Sequence, residues 1–450
     1  MAFFNKRAET QFKHGVYHYL KEAGTNKKRL HLRMEADGHG TLLVNACRIF
    51  HFNPTAALMA YLILEGSEEN EIITAITNKF QVEKQQAESD LRYFRNQFDA
   101  ITSPKIDLCP ICDLELETYA PFSQQPSAPY RMDLAITYRC NCNCSHCYNA
   151  RPRSYPEMES HQWQEIIERL WEIGIPHIVF TGGEPTLRAD LPELIHYAEK
   201  TGLITGLNTN GRKLKDKKYT EDLVEAGLDH IQVTLESHDN AIHDAIVASP
   251  GAWQETVTGI KNALETNLFV MTNTTLLKQN SIFLSKTLNY LAKIGIPTIG
   301  LNGLIYSGRG KSCGEGIDES QLPELLNIAR DLTSKHNQRL IWYTPTQYCH
   351  FDPVAMGLGV KGCTAALYNM CIEPDGGVIP CQSYYQSLGN ILTDEWNDIW
   401  THDLAVSIRE KRYLPEDCRS CALLKECGGG CPLTWKIHTD VHPEKVLEIT

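Results

Sequence analysis

The chain has 450 residues, of which 42% are hydrophobic, and its formal net charge is -12. This length predicts about two to four domains of about 100–200 residues each, and the dispersed basic residues exclude a nucleic-acid partner. No stretch reaches the roughly 18 apolar residues of a membrane helix and the N-terminus lacks an apolar signal core, so we expect a cytoplasmic protein with no membrane partner.

The first 105 residues form the first predicted domain. A polar helix is predicted over residues 1–30, because the apolar residues there fall at helical spacing: Phe12, Val16, Tyr17 and Leu20. Alternation on both sides of a glycine-containing turn then predicts a β-hairpin or a small three-stranded sheet over residues 30–52. Three amphipathic helices follow, the first with Thr55 as its N-cap; they cover residues 56–65, 69–80 and 84–98.

This order of a small sheet and three helices, with the segments 52–57 and 64–66, resembles the winged-helix domain related to the PqqD peptide chaperone. In that family the sheet edge and the neighbouring helix bind an extended leader peptide by strand addition, so main-chain hydrogen bonds supply affinity and side-chain pockets supply selectivity. The resemblance implies a precursor peptide with a leader as a partner. The alternative is a winged helix that only packs on the next domain.

Residues 106–131 are predicted as a linker because they are rich in proline. The linker carries Cys109 and Cys112 at the spacing C-x2-C. This pair fits a zinc half-site, a redox pair, two ligands of a cluster, or two unligated thiols. Its role stays open.

Short apolar strands alternate with amphipathic helices over residues 132–345. The predicted strands cover residues 134–137, 177–181, 205–209, 230–235, 269–276 and 298–304. The predicted helices cover residues 160–173, 191–200, 220–226, 256–268 and 281–294. This alternation predicts an α/β fold with a parallel sheet covered by helices and with functional loops at the C-terminal strand ends.

Four cysteines lie within eight residues directly after the first of these strands, and three of them, Cys140, Cys144 and Cys147, have the spacing C-x3-C-x2-C. A loop that leaves a buried strand can aim three thiolates at one point, which suits three irons of a cubane cluster and leaves the fourth iron without a protein ligand. Sixteen cysteines in a cytosolic chain of this length indicate metal ligands rather than disulfides. A zinc knuckle is the alternative.

This spacing, preceded by a strand and followed by an aromatic residue, resembles the signature of the radical S-adenosylmethionine (radical SAM) enzymes. The resemblance implies a partial (β/α)6 barrel over residues 132–345. It also implies that SAM chelates the open iron and is cleaved to methionine and a 5'-deoxyadenosyl radical. An electron donor such as flavodoxin or ferredoxin is then a further partner.

Polar residues at the predicted strand ends are candidate SAM contacts. Gly182 and Gly183 let backbone approach a ligand, and Glu184 is able to accept a hydrogen bond from an amine; the resemblance implies that this segment binds the amino group of SAM. By the same resemblance, His146 packs the adenine and Arg309 pairs with the carboxylate. Further candidates for ribose and methionyl contacts are Asn208, Thr234, Glu236, Ser237 and Asn273.

A second cysteine-rich region covers residues 346–436 and is followed by a tail at 437–450. Cys363, Gly376 and Cys381 are followed by the spacing C-x2-C-x5-C-x3-C over residues 418–431. A turn at residues 375–377 predicts a hairpin with Cys371 and Cys381 on paired strands. The pattern resembles the SPASM extension of peptide-modifying radical SAM enzymes, which holds two auxiliary 4Fe–4S clusters.

The SPASM resemblance implies two sets of cluster ligands. The first is Cys363, Cys371, Cys381 and Cys431, and the second is Cys418, Cys421 and Cys427. The full pattern ends with one more cysteine, and none follows Cys431 in this sequence. The second cluster therefore has an open iron or one further ligand, from the candidates His438, Asp440, His442, Cys109, Cys112 and Cys349.

These features predict a radical SAM enzyme that abstracts hydrogen from a ribosomally made precursor peptide. Crosslinking, epimerisation and excision of backbone all fit the parts. One alternative is a radical SAM enzyme acting on a small cofactor precursor such as a tetrapyrrole. The other is a zinc-stabilised scaffold without enzymatic activity.

Overall fold

The computed structural model describes residues 14–23, 26–45, 48–102, 126–151, 153 and 156–435. The chain divides into two compact units. The first comprises Met1–Ala120 with Glu172–Pro176, and the second comprises Pro121–Trp171 with His177–Thr450.

A four-stranded antiparallel sheet organises the first unit. Its strands, in spatial order, are β1 (Gly15–Ala23), β2 (Asn26–Met34), β3 (Gly40–Val44) and β4 (Arg48–Phe52). The predicted hairpin is confirmed, but the predicted helix over residues 1–30 is wrong where the structure describes it, because β1 and β2 occupy that stretch. Tyr17 and Tyr19 pack on the core while Leu20 is exposed. This alternation of every second residue is that of a β-strand. The segment 1–13 of the predicted helix lies outside the described residues.

Three helices cover this sheet and confirm the three that the sequence predicts: α1 (Pro54–Leu64), α2 (Glu69–Phe80) and α3 (Lys84–Thr102). The ring of Phe52 on β4 lies 5.7 Å from that of Phe94 and 6.2 Å from that of Phe98, both on α3. These contacts fix α3 beside the β4 edge of the sheet.

The N-cap of α1 is Asn53 rather than the predicted Thr55. The Asn53 side-chain oxygen accepts a hydrogen bond from Ala56 N at 2.9 Å. Pro54 occupies the first helical position, where its missing N–H costs nothing, so the cap falls on the residue before it.

The second unit is built on a ten-stranded sheet in the order β11-β10-β9-β8-β7-β6-β5-β12-β13-β14, of which the last three are β12 (Asn369–Ile372), β13 (Gly377–Ile379) and β14 (Gly389–Asn390). The six predicted strands are confirmed as β5 (Arg131–Thr137), β6 (His177–Gly182), β7 (Ile204–Thr209), β8 (His230–Thr234), β9 (Phe269–Thr275) and β10 (Thr298–Asn302). They are parallel, and a seventh parallel strand that the sequence did not reveal, β11 (Arg339–Trp342), extends them. The α/β class with a parallel sheet is thus confirmed.

Helices connect these parallel strands. The five predicted helices are confirmed as α4 (Ser160–Ile173), α5 (Leu191–Thr201), α6 (Lys217–Glu225), α8 (Ala252–Leu264) and, for the last, the pair α9 (Lys278–Ser281) and α10 (Leu284–Lys293). Two further helices were not predicted: α7 (Asn240–Val247) and α11 (Leu322–Lys335). Within the described residues, every helix is too short or too polar to span a bilayer.

The two faces of the parallel sheet differ in polarity. One face is apolar and fully buried, with Leu134, Phe180, Leu207 and Ile231 in successive strands. The alternate residues form a polar face, because Asn208 pairs with Gln232 across β7 and β8, and Thr234 pairs with Asn273 across β8 and β9. The side chains of a strand point alternately to opposite faces, so these four polar side chains share one face.

The C-terminal region adds three short strands and four short helices. The strands are β12 (Asn369–Ile372), β13 (Gly377–Ile379) and β14 (Gly389–Asn390), and the helices are α12 (Trp396–Trp400), α13 (Asp403–Arg409), α14 (Glu416–Arg419) and α15 (Leu424–Cys427). The predicted hairpin is confirmed with Cys371 on β12, where it lies opposite Ile379 of β13. Cys381 instead lies two residues beyond β13, because Pro380 has no N–H with which to continue the ladder.

The capping hydrogen bond gives a test of the first unit. Replacing Asn53 by Ala removes the acceptor for Ala56 N and should lower the stability of α1 by about 1 kcal/mol. The matched Thr55→Ala change should cost less than about 0.5 kcal/mol. Hydrogen exchange of the α1 amides in increasing urea measures both, and an equal loss in the two variants would contradict the assignment of the cap.

Candidate active site

The thiols of Cys140, Cys144 and Cys147 are neighbours in the loop that follows β5. Burial raises the pKa of the Cys144 thiol, and the negative charges of Cys147, Glu236 and Cys140 raise it further. Burial also raises the pKa of Cys147, with Cys140 again among the causes. Thiols this close resist ionising together unless a cation neutralises them, which is the charge that iron supplies. The donor set therefore fits a cubane cluster.

Two main-chain hydrogen bonds fix the start of this cluster loop, defined as residues 140–147. Asn143 N donates to Val247 O and Ser145 N donates to Ile246 O, each at 2.9 Å. Both acceptors lie in the last turn of α7, whose carbonyls have no partner within the helix. The unpredicted helix α7 is thus part of the site.

Arg309 holds the other end of the cluster loop. Its Nε donates to Cys144 O at 2.8 Å and its main-chain N donates to Cys147 O at 2.9 Å. A Cβ at the preceding residue, Gly308, would lie 2.6 Å from Cys147 O, so only glycine permits this approach. Arg309 thus positions the cluster loop, and its predicted pairing with the SAM carboxylate stays a prediction.

The two glycines at the end of β6, Gly182 and Gly183, pack directly on the chain that leads into the cluster loop. Gly183 N donates to Thr137 O at 2.8 Å and Glu184 N donates to Arg139 O at 2.9 Å. A Cβ at Gly182 would lie 2.1 Å from Thr137 O, and one at Gly183 would lie 2.4 Å from Arg139 O. Because these two residues have no side chains, residues 137–139 pack against their main chain, and this contact positions Cys140.

The carboxylate of Glu184 is buried and occupied by donors of the protein itself. Its Oε1 accepts hydrogen bonds from the hydroxyls of Thr186 and Thr209, and its Oε2 accepts from Asn210 N at 2.7 Å. Burial nevertheless raises the pKa of the carboxyl. Glu184 ties the loop after β6 to the loop after β7, and its predicted contact with the SAM amine stays a prediction.

His146, which is half-buried, lies beside the buried carboxylate of Glu236. His146 Nε2 lies 3.2 Å from Glu236 Oε1, and Glu236 Oε2 accepts from Thr275 N at 2.9 Å. Ser237 has a local role, because its Oγ accepts from Asp239 N at 3.1 Å at the start of α7. The predicted packing of adenine on His146 remains a prediction.

Asn208, Thr234 and Asn273 are the candidates that lie on the polar face of the sheet. The Oδ1 atom of Asn273 is buried and has no hydrogen-bond partner among the described residues. Gly300, on the next strand, lies close to this oxygen, since a Cβ there would be 3.1 Å from it. A buried amide oxygen without a donor costs free energy, and a ligand that supplies a donor would remove that cost. This geometry fits the binding of a polar cosubstrate such as SAM.

A segment that sequence reasoning missed docks on the cluster loop. Gln382 donates to Asp133 Oδ2 and accepts from the hydroxyl of Tyr148, both at 2.6 Å. The hydroxyl of Tyr385 donates to Tyr148 O at 2.6 Å. The one feature of the sequence that points to these residues is that each directly follows a candidate cluster ligand: Gln382 follows Cys381, and Tyr148 follows Cys147.

The four cysteines of the first predicted auxiliary set come together. Burial raises the pKa of Cys363, and the thiolates of Cys431 and Cys381 raise it further. Burial raises the pKa of Cys381 to about 12. Burial also raises the pKa of Cys371, with Cys381 among the causes. The set fits a second cluster, and the role of its members as ligands stays a prediction.

The second predicted set, Cys418, Cys421 and Cys427, lies at the protein surface. Burial raises the pKa of Cys418, and the negative charges of Cys349, Cys427 and Cys421 raise it further. In the described part of the chain, no three His, Cys, Asp or Glu side chains converge closely enough for a single metal ion, whereas a cubane takes each thiolate on a different iron. The candidates outside the described residues are Cys109, Cys112, His438, Asp440 and His442.

Three families match separate parts of the chain. Residues 134–283 match the radical SAM superfamily, residues 363–422 match the iron-sulfur cluster-binding domain SPASM, and residues 40–100 match coenzyme PQQ synthesis protein D (PqqD). These ranges agree with the barrel, the cysteine-rich extension and the sheet with three helices.

The alignments with two curated relatives cover most of the length of each relative. Fe-coproporphyrin III synthase of Methanosarcina barkeri is 27% identical over an alignment of 327 residues that covers 65% of this chain and 81% of the relative. PqqA peptide cyclase of Granulibacter bethesdensis is 29% identical over an alignment of 309 residues that covers 66% of this chain and 80% of the relative.

Solved structures share the fold. Streptococcus suis SuiB bound to the precursor peptide SuiA is 18% identical, with a TM-score of 0.68 over 90% of this chain and 94% of that one. Native anSMEcpe with bound AdoMet is 17% identical, with a TM-score of 0.56 over 72% of this chain and 93% of that one.

The glycine contacts give a test of the site. Gly183→Ala should push residues 138–139 and the cluster loop outward, so the protein should lose about four irons per chain and all cleavage of SAM. The control is Gly303→Ala, because a Cβ there has no neighbour closer than 3.6 Å. Iron analysis and 5'-deoxyadenosine formation measure both variants, and normal iron content in Gly183→Ala would contradict the packing argument.

Proposed function

Because the chain is a radical SAM enzyme with a SPASM extension and a PqqD-like domain, we propose that it modifies a ribosomally made precursor peptide by abstracting a hydrogen atom. The observation that carries the proposal is the match to PqqD over residues 40–100 in the same chain as the radical SAM match. The similarity to PqqA peptide cyclase supports it, and so does the fold shared with SuiB, which was solved bound to a precursor peptide.

When bound, SAM and a 4Fe–4S cluster supply a 5'-deoxyadenosyl radical. Cys140, Cys144 and Cys147 would hold three irons of that cluster, and Arg309 keeps their loop in place. The polar face around Asn273 binds the cosubstrate. Holding SAM and the peptide in one site that excludes water confines a reactive primary radical to the intended hydrogen.

The auxiliary cysteines suit reactions in which an electron leaves the substrate. Formation of a crosslink from a substrate radical releases one electron, and the set Cys363, Cys371, Cys381 and Cys431 would hold an acceptor for it. A flavodoxin or ferredoxin would supply the electron that starts each turnover. A reducing cytoplasm suits this number of thiols.

The β4 edge of the first unit is the proposed binding site for the leader peptide. Within the described residues, β4 pairs only with β3, so one row of its main-chain groups is open to strand addition. Ile49 on this strand is 44% exposed, and Tyr93 on the neighbouring helix α3 is 54% exposed. Exposed apolar side chains on an edge strand and on the adjoining helix suit pockets for alternate residues of an extended peptide.

Fe-coproporphyrin III synthase, which is 27% identical, favours a second candidate function. In that case the substrate is a tetrapyrrole or a similar cofactor precursor, and the first unit binds no peptide. The two functions differ in which molecule changes mass.

The leader site is tested with the full chain. Ile49→Asp should weaken leader binding about tenfold, since it places a charge where an apolar contact worth about 1.4 kcal/mol is expected. Leu20→Asp is the matched control, because Leu20 is 55% exposed on β1, at the opposite edge of the sheet. Fluorescence anisotropy with a labelled leader measures both affinities, and equal affinities would place the leader elsewhere.

The reaction itself is tested by coexpression with a short peptide encoded beside the gene. The wild-type enzyme should change the mass of the peptide, and mass spectrometry would identify the bond made or broken. The variant with Cys140, Cys144 and Cys147 all replaced by Ala should form no 5'-deoxyadenosine and leave the peptide unchanged. An unchanged peptide together with a modified tetrapyrrole in wild-type cells would favour the second candidate.

A further inference from the structure

We propose that Cys349 is the fourth cysteine ligand of the cluster held by Cys418, Cys421 and Cys427. It precedes the residues that match SPASM, 363–422, so the chain would complete this cluster from upstream. The inference does not depend on the substrate. It rests on the proposed function only in assuming that this region holds an iron–sulfur cluster.

The segment that carries Cys349 packs against the cysteines of the second set. Tyr348 N donates to Cys427 Sγ at 3.3 Å, and the Cys427 thiol lies 3.7 Å from Thr346 O. A Cβ at Gly430 would lie 2.8 Å from Cγ of Gln347. Residues 346–348 therefore lie directly on the stretch 427–430, and Cys349 is the next residue.

The Cys349 thiol lies 4.0 Å from Oε1 of Gln347, the residue that packs against Gly430. The N–H···S bond from Tyr348 to Cys427 is of the kind that tunes iron–sulfur clusters, whose potentials depend on hydrogen bonds to sulfur. Four thiolates are the complete ligand set of a 4Fe–4S cluster.

The two other described cysteines outside the predicted ligand sets, Cys142 and Cys313, lie in other parts of the structure. Outside the ligand sets predicted from the sequence, the described cysteines are Cys142, Cys313 and Cys349. Cys142 N donates to Cys140 Sγ at 3.4 Å, which places it in the cluster loop. Cys313 packs against the apolar cluster of Ile246, Leu277 and Leu304. Of these three, Cys349 is the one that directly follows the segment packed against Cys427.

Ligation by Cys349 has a chemical consequence. All four irons of this cluster would carry a thiolate, so none is open to a thiol or amide of the substrate. Cys349 and Cys421 are exposed, so the cluster lies at the surface. Its role is then to carry electrons rather than to bind the substrate.

The test uses the full chain with Cys140, Cys144 and Cys147 replaced by Ala, so that only the auxiliary clusters remain, with about eight irons. Adding Cys349→Ala should have one of two effects. It removes about one to four irons, or it keeps them and shifts one reduced-state electron paramagnetic resonance signal. In the second case, the shifted signal should respond to added 2-mercaptoethanol. Cys349→Ser should keep the irons and shift the same signal, because an alkoxide replaces a thiolate.

Cys313→Ala in the same background is the matched control and should keep the iron content and both signals. The signal of the first auxiliary cluster reports that each variant has folded. Iron content and spectra of Cys349→Ala equal to those of the control, or an equal loss of both signals, would overturn the proposal. These readouts do not involve the peptide, so a failure of peptide modification would leave them unaffected.

Discussion

Close contact between two main chains, at the ends of β5 and β6, is the constraint on which the proposed chemistry depends. Residues 137–139, which lead from β5 into the cluster loop, lie on Gly182 and Gly183 with no space for a side chain. Hydrogen bonds from Gly183 N and Glu184 N complete the contact. A radical site needs its cluster at a fixed distance from the cosubstrate, and two packed main chains hold that distance more rigidly than side chains with several rotamers.

Around this contact, two side chains with a predicted role in SAM binding also hold loops together. Glu184 joins the loops after β6 and β7, and Arg309 binds the carbonyl of Cys144. Asn273, on the polar face of the sheet, instead keeps a buried oxygen without a hydrogen-bond partner among the described residues. A cosubstrate that donates to this oxygen would remove the cost of burying it.

Much of the second unit could be predicted from the sequence, because buried parallel strands and amphipathic helices leave strong periodic signals. The cysteine spacings were also readable, since ligands on one short loop must be close in sequence. The helix predicted over β1 is wrong because its four apolar residues fall at helical spacing without alternating, and only the pairing with β2 shows the strand. The cap of α1 went to Thr55 although Pro54 favours the residue before it.

Contacts between residues distant in sequence could not be predicted in this way. Gln382 lies 249 residues from Asp133 in the chain and 234 from Tyr148, yet it hydrogen-bonds to both. No local pattern encodes such a pairing, because it results from the docking of β12 beside β5. That docking places Cys371 next to Asp133 in register and brings the residue after Cys381 to the residue after Cys147. The strand that extends the sheet therefore also sets the distance between the first auxiliary set and the cluster loop, so the spacing of the two sites is a property of the sheet rather than of a flexible connection.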